Sequence, residues 1–317
     1  MQRNTKHQQE TKKQHTVPRF YLKAFTDTND QLFVFDKVIE KRFRANISDV
    51  SQHRRFYDLP AECFGLEADT AYDPQFVEHN LAERESILSK ALTEFLAEAK
   101  EEKPIDQHHR FSLAYFIALQ TLRTPLVRTV MKEAWKRVKD HLAATEGPEC
   151  VAPGSPIFKQ LDVPEFGWVK SQAAVMLNPI VAAQIMDPLV ERVWCIGINK
   201  TGRPFYTSDN PVVKYAHIDP PPGMGFGIGS PGVEVALPLT PEIILILWDG
   251  MALPEIANFD GQRLILDDVD IIFYNRLQVS GSERQVYCST SDFALVEKMC
   301  RERPHLRDPN RQHVWIT

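Results

Sequence analysis

The chain has 317 residues, 43% of them hydrophobic, 25% charged and 10% aromatic, with only 14 Gly against 22 Pro. Those proportions exclude collagenous, low-complexity and wholly disordered chains and leave one large domain or two closely packed ones. The net charge of -5 and a pI near 6.1 argue against a uniformly basic nucleic-acid binder.

Residues 1–14 lack apolar periodicity and are expected to form a flexible basic arm, followed by one α+β domain over 15–317. Residues 31–36 (QLFVFD) and 38–44 (VIEKRFR) are rich in β-branched and aromatic residues and predict a β-hairpin, with a third short strand at 55–59. Asp73-Pro74 is an N-cap followed by a helix-starting proline, and Val77, Leu81, Ile87, Leu88, Leu92 and Leu96 behind it recur at helical spacing, predicting a helix to about Lys100. A second helix starts at Pro104 and Asp106. Its segment 111–122 (FSLAYFIALQTL) is apolar nearly all round and so belongs in the core. Pro125 predicts a kink or break around residues 121–124, because proline lacks the N–H and clashes with the carbonyl four residues back.

Residues 146–164 are rich in Pro and Gly and mark the best internal boundary, after which 165–187 predicts a third helix. The pattern then alternates. Residues 191–199 and 204–207 predict one hairpin, and 232–239 and 242–248 another. Residues 264–280 and 292–301 predict helices, with 302–317 docked or frayed. This order implies an α+β fold, a helical central region packed on mostly antiparallel β-hairpins.

Five cysteines at 63, 150, 195, 288 and 300 never form a C-x-x-C pair, which fits buried thiols in a reducing compartment. The first nineteen residues have no apolar stretch of a secretory signal, and no run of about 18 apolar residues occurs. The expectation is a soluble cytoplasmic protein with no membrane partner. Charge is uneven within it: residues 1–60 hold twelve Lys and Arg against seven Asp and Glu, a local net of +5. Such clustering can steer an anion toward this end, and a solvated tail and hairpin would carry the same charge.

Three blocks stand out: His15-Thr16-Val17-Pro18-Arg19-Phe20-Tyr21-Leu22-Lys23-Ala24-Phe25, Gln120-Thr121-Leu122-Arg123-Thr124-Pro125, and Ser208-Asp209-Asn210-Pro211-Val212. In this order, H-x-x-P-x-x-Y-L-x-x-F, Q-x-x-R-T-P and S-D-N-P-V resemble the bacterial proteins collected as domain of unknown function family 4238, over about residues 15–295. The resemblance implies a bacterial or phage origin and attaches no reaction to the motifs.

The residue chemistry suggests one. An unperturbed imidazole titrates near pH 6.5, so His15 is a candidate acid or base, or else a polar cap on the first ordered element. Arg19 and Tyr21 can hold an anionic group; Tyr21, Leu22 and Phe25 can equally anchor the segment in the core. Gln120 and Arg123 share one face of an otherwise apolar helix, where the guanidinium needs a carboxylate (Asp209, Glu85 or Glu78) or a ligand phosphate. Asp209 is a candidate acid/base group or metal ligand, with Ser208 and Asn210 orienting substrate; the same residues also fit an Asx turn. Glu78 and Glu85, seven apart on one helix face, can supply a second carboxylate for a divalent metal or form a solvated stripe.

There is no G-x-S-x-G elbow, phosphate loop, H-E-x-x-H or strand-borne G-x-G-x-x-G. Residues 224–229 (MGFGIG) predict a mobile loop over a cleft. The leading expectation is hydrolysis of a phosphodiester, in nucleic acid or a nucleotide, in bacterial defence or as a toxin. His15 and Asp209 would be the acid/base pair, Arg19 and Arg123 the phosphate clamps, and Tyr21, Gln120, Ser208 and Asn210 further contacts. The alternative is a non-enzymatic anion-binding or scaffold protein whose polar motifs are structural.

Overall fold

The computed structural model describes residues 10–66, 72–153, 155, 163–219, 226–309 and 311. The fold is α+β. Strand β1 (Lys13–His15) pairs antiparallel with β4 (Gln52–Arg54). Order therefore begins inside the stretch expected to be a flexible arm; residues 1–9 lie outside those described. Burying Gln14 explains it. Its Nε2 donates to Asp58 Oδ1 and its Oε1 accepts from Tyr57 N, while Gln75 bonds both the Thr11 backbone and Asp58. These amides replace the apolar alternation that would otherwise mark a strand. The next short strand is correspondingly displaced: 55–59 forms a turn with Arg55 at φ 51, and β4 precedes it.

After the short helix α1 (Arg19–Leu22), β2 (Gln31–Asp36) and β3 (Lys41–Asn46) form the expected hairpin. Two long helices follow, α2 (Phe76–Lys100) and α3 (Gln107–Arg123). Asp106 caps α3 by accepting from His109 N at 2.7 Å.

The break foreseen at Pro125 is complete. Thr124 is extended (φ -74, ψ 157), as a residue before proline prefers, and Pro125 opens α4 (Pro125–Glu146). The carbonyls this frees are taken up, Leu122 and Thr124 by Gln172 Nε2 and Arg123 by the Tyr57 hydroxyl. Gln172 sits on α5 (Glu165–Leu177), which Asn178-Pro179 separates from α6 (Pro179–Val190) by a 58° bend. The single helix expected over 165–187 is thus two, for the reason that broke α3 from α4. Among the described residues no single helix is long and apolar enough to cross a membrane.

Strands β5 (Val193–Asn199), β6 (Thr207–Ser208), β7 (Val213–Ala216), β8 (Val233–Pro238), β9 (Ile243–Trp248), β10 (Arg263–Leu266) and β11 (Gln285–Cys288) build two sheets with the amino-terminal hairpin. The five-stranded sheet runs β10-β5-β9-β8-β7, antiparallel except at β10-β5; the four-stranded sheet runs β3-β2-β11-β6, all antiparallel.

Two sequence expectations are corrected here. Residues 204–207 do not return along β5: β6 pairs with β11, which lies between it and β2. Residues 264–266 are not the start of a helix but edge strand β10; α7 (Asp268–Gly281) begins only after Asp267, whose side chain closes a capping box with Asp270. A short apolar run fits either state, and here pairing along β5 decided. Helix α8 (Ala294–Glu302) follows β11 as expected.

Sheet alternation distributes the core. Trp194, Ile196, Val235 and Leu245 face the cluster built with α2 and α3; Val193, Cys195, Ala236 and Ile246 face Ile271 and Tyr274 of α7. Phe35, Val286 and Cys288 of the smaller sheet pack on Val296 and Met299 of α8. The loop expected at 224–229 is only partly described, Met224 and Gly225 lying outside, as do Gly154 and 156–162 of the expected boundary and Asn310 and 312–317 of the tail.

Candidate functional site

The carboxyl end of α3 carries Gln120 and Arg123 one turn apart, against the strand that ends in His15. Both are buried, Arg123 at 2% exposure. Gln120 Nε2 donates to Thr16 O at 3.0 Å and Arg123 Nη2 to His15 O at 2.5 Å. The second and first motif blocks therefore meet through side chain to backbone bonds. Of the three carboxylates weighed as a partner for Arg123, Glu85 takes the role: its Oε1 lies 2.7 Å from Arg123 Nη1. Nη1 is thus ion-paired, while Nε has neither an ion-pair nor a hydrogen-bond partner among the described residues.

More unpaired atoms surround it. His15 Nε2, Glu78 Oε2, Gln120 Oε1 and Thr124 Oγ1 are buried with no hydrogen-bond partner among the described residues. Buried polar atoms are nearly always paired in folded proteins, because leaving one bare costs about 1–3 kcal/mol. Their concentration at one place is the feature expected of a site that receives polar groups from a ligand. Arg19, whose charge acts on His15, is exposed with no ion pair among the described residues, and the Glu85 side chain is 26% exposed.

The electrostatics poise these groups for proton transfer. Burial lowers the pKa of His15, the positive charges of Arg19 and Arg123 lower it further, and Glu85 and the Ile47 carbonyl pull the other way. The ring is then neutral near pH 7. Burial raises Glu78 to about 7, opposed by Arg123 and reinforced by Glu85. Burial works against the charge on Arg123, but Glu85 and Tyr57 outweigh it and its pKa is raised. A neutral imidazole and a carboxyl near half-protonation thus each lie in the field of Arg123 and Glu85. Glu78, which sequence reasoning weighed as a partner for Arg123, a second carboxylate or a stripe residue, lies in the field of Arg123 and Glu85; its signal was the seven-residue spacing from Glu85.

The other sequence candidates lie elsewhere. The Tyr21 hydroxyl is fully buried, bonding Pro238 O at 2.6 Å and Thr207 Oγ1 at 2.7 Å, so it ties α1 to both sheets. Ser208 Oγ donates to Gln278 Oε1, and Asn210 Nδ2 donates to Gly281 O at the end of α7. Asp209 accepts from the backbone N–H of Glu283, Arg284 and Gln285 at 2.8, 2.7 and 2.7 Å, closing the turn between α7 and β11. Burial raises its pKa while those three donors oppose the rise. Asp209 borders a cavity of about 390 Å3 together with Thr16 of the first block and Pro125 of the second, and neither His15 nor Arg123 is among its lining residues.

The two metal candidates are likewise separated in role, Glu85 against Arg123 and Asp209 against backbone N–H groups. Among the described residues no group of three or more His, Cys, Asp or Glu is placed to hold a metal ion.

Searches of curated proteins and of solved structures return no match. One family model, described as Protein of unknown function (DUF4238), matches residues 13–292, from β1 through β11 and so across all three motif blocks. The chain belongs to that family.

Proposed function

We propose that the chain hydrolyses a phosphodiester, in nucleic acid or a nucleotide, at the cluster around His15 and Arg123, in a bacterial cytoplasm. The observation that carries this reading is the set of buried, unpartnered polar atoms on His15, Glu78, Gln120, Arg123 and Thr124 beside the exposed Arg19. Arg123 offers its Nε proton to a non-bridging phosphate oxygen, and Arg19 supplies the second positive charge. Neutral His15 takes a proton from water as the water oxygen bonds to phosphorus. Glu78 in its acid form gives its proton to the leaving oxygen as the P–O bond breaks. Gln120 orients the phosphate. Glu78 thereby takes the place that sequence reasoning gave to Asp209. No metal is needed to balance this step. A role in defence or as a toxin suits a solitary enzyme of this kind.

The test is turnover of bis(p-nitrophenyl) phosphate, RNA and single-stranded DNA by the full chain, alongside His15→Ala and Glu78→Gln. Turnover that falls by about a hundredfold or more in His15→Ala, with folding intact, supports the reading. Equal turnover in wild type and His15→Ala overturns it.

A second reading is favoured by the full hydrogen bonding of Ser208, Asp209 and Asn210. In it all three blocks serve to knit the halves of the chain, and the Arg123 cluster binds an anion without turning it over. Phosphate binding that is lost in Arg123→Gln, with no turnover of any of the three substrates, selects this reading.

A further inference from the structure

A second cavity of about 470 Å3 lies between α4, β7, the end of α7 and the segment after α8. Its wall carries Lys214, Arg303, His305 and Arg311 and not one Asp or Glu. In a chain of net charge -5 that is a local reversal of sign. Lys214 and Arg303 are not spent on carboxylates, whereas Arg311 lies in the field of Asp209 and Glu283. Lys214 Nζ donates to Phe226 O, and Arg311 donates to the carbonyls of Ser280, Ser282, Glu283 and Leu306. The side chains of Arg303 and His305 have no hydrogen bond or ion pair among the described residues. Leu126, Val130 and Leu277 supply an apolar lining beneath them.

Volume and lining select a ligand class. Small-molecule sites are concave, about 300–1,000 Å3, mostly apolar, with a few convergent polar groups. Here the charged groups, Lys214, Arg303 and Arg311, have one sign. Asp209 and Glu283 act on Arg311 from behind the wall, but no carboxylate lines the cavity, so an anion entering it meets cations that partial desolvation strengthens. We propose that this cavity binds a small amphipathic anion, a phosphate or carboxylate head on an apolar body. It is formed by residues other than those of the His15 cluster and stands or falls independently of it.

Calorimetric titration of the full chain with octyl phosphate, octanoate, inorganic phosphate and octylamine, each below its micellar concentration, tests this. At least one alkyl anion binds, and inorganic phosphate and octylamine bind at least about tenfold more weakly, because each lacks either the apolar body or the right charge. The two alkyl anions together tell a phosphate ligand from a carboxylate one. Arg303→Glu weakens that binding by about tenfold or more, and Val130→Trp, which fills the apolar floor, does likewise. Each variant's thermal unfolding is recorded to show that it is folded. His15→Ala leaves the binding unchanged, so that loss of phosphodiester turnover and loss of this site are read separately. Absence of binding by both alkyl anions overturns the proposal, as does wild-type affinity in both cavity variants.

Discussion

The carboxyl end of α3 and the turn that follows β6 are both polar, both largely buried and both built from the motif blocks, yet they are finished differently. Around Ser208-Asp209-Asn210 every side chain has a partner, and Asp209 alone takes up three backbone N–H groups. Around His15 and Arg123, buried atoms of five side chains have none among the described residues. The first region has converted its polarity into connectivity. The second has paid desolvation without recovering it internally, which a fold tolerates where a ligand completes the bonding. Residue types alone would rank Asp209 beside His15 as a reactive group; partner accounting separates them.

The comparison breaks most visibly at Arg123. Arg123→Ala leaves Glu85 without its cation and His15 O without its donor. Loss of one member of a buried ion pair costs about 3–5 kcal/mol, here moderated by the partial exposure of Glu85. Chemical denaturation should show that loss. Next in size is His15→Ala, for which turnover falls by about a hundredfold while the unfolding midpoint falls only modestly, the ring giving up its bond to the Ile47 carbonyl but none at Nε2.

Asp209→Asn sharpens the contrast from the other side. It turns an amide N–H toward backbone donors, at about 1–3 kcal/mol of stability, and leaves turnover per folded molecule near wild type. The smallest effect is a pH dependence. Glu78 has a folded pKa of about 7, raised chiefly by burial. A carboxyl raised above its unfolded value binds protons preferentially in the folded state. Its contribution is therefore present below the unfolded pKa and is lost as pH rises toward 7. Glu78→Gln removes that decline, on the order of 1 kcal/mol after screening, measured as unfolding free energy between pH 5 and 8.

Local signals carried much of the fold in the sequence. Asp73-Pro74 set the start of α2 within a few residues, Pro125 the break after α3, and alternation the β2-β3 and β8-β9 hairpins. The pairing need of a guanidinium on an apolar helix face identified Arg123, and Glu85 was among the partners that need allowed. What escaped was non-local. Strand β11 finds β2 across about 250 residues, and the donors to Asp209 lie more than 70 residues beyond it. Strand β1 is held by Gln14, Gln75 and Asp58, a side-chain network with no periodicity to announce it. Polar residues advertise their chemistry locally, but whether they are satisfied depends on distant chain.

The most direct test is phosphodiester turnover per folded molecule, measured in parallel for wild type, His15→Ala and Asp209→Asn. The account predicts that His15→Ala loses turnover with only a modest fall in the unfolding midpoint, and that Asp209→Asn keeps turnover at a more strongly lowered one. Loss of turnover in Asp209→Asn with retention in His15→Ala would contradict it, as would a wild-type chain that cleaves no phosphodiester.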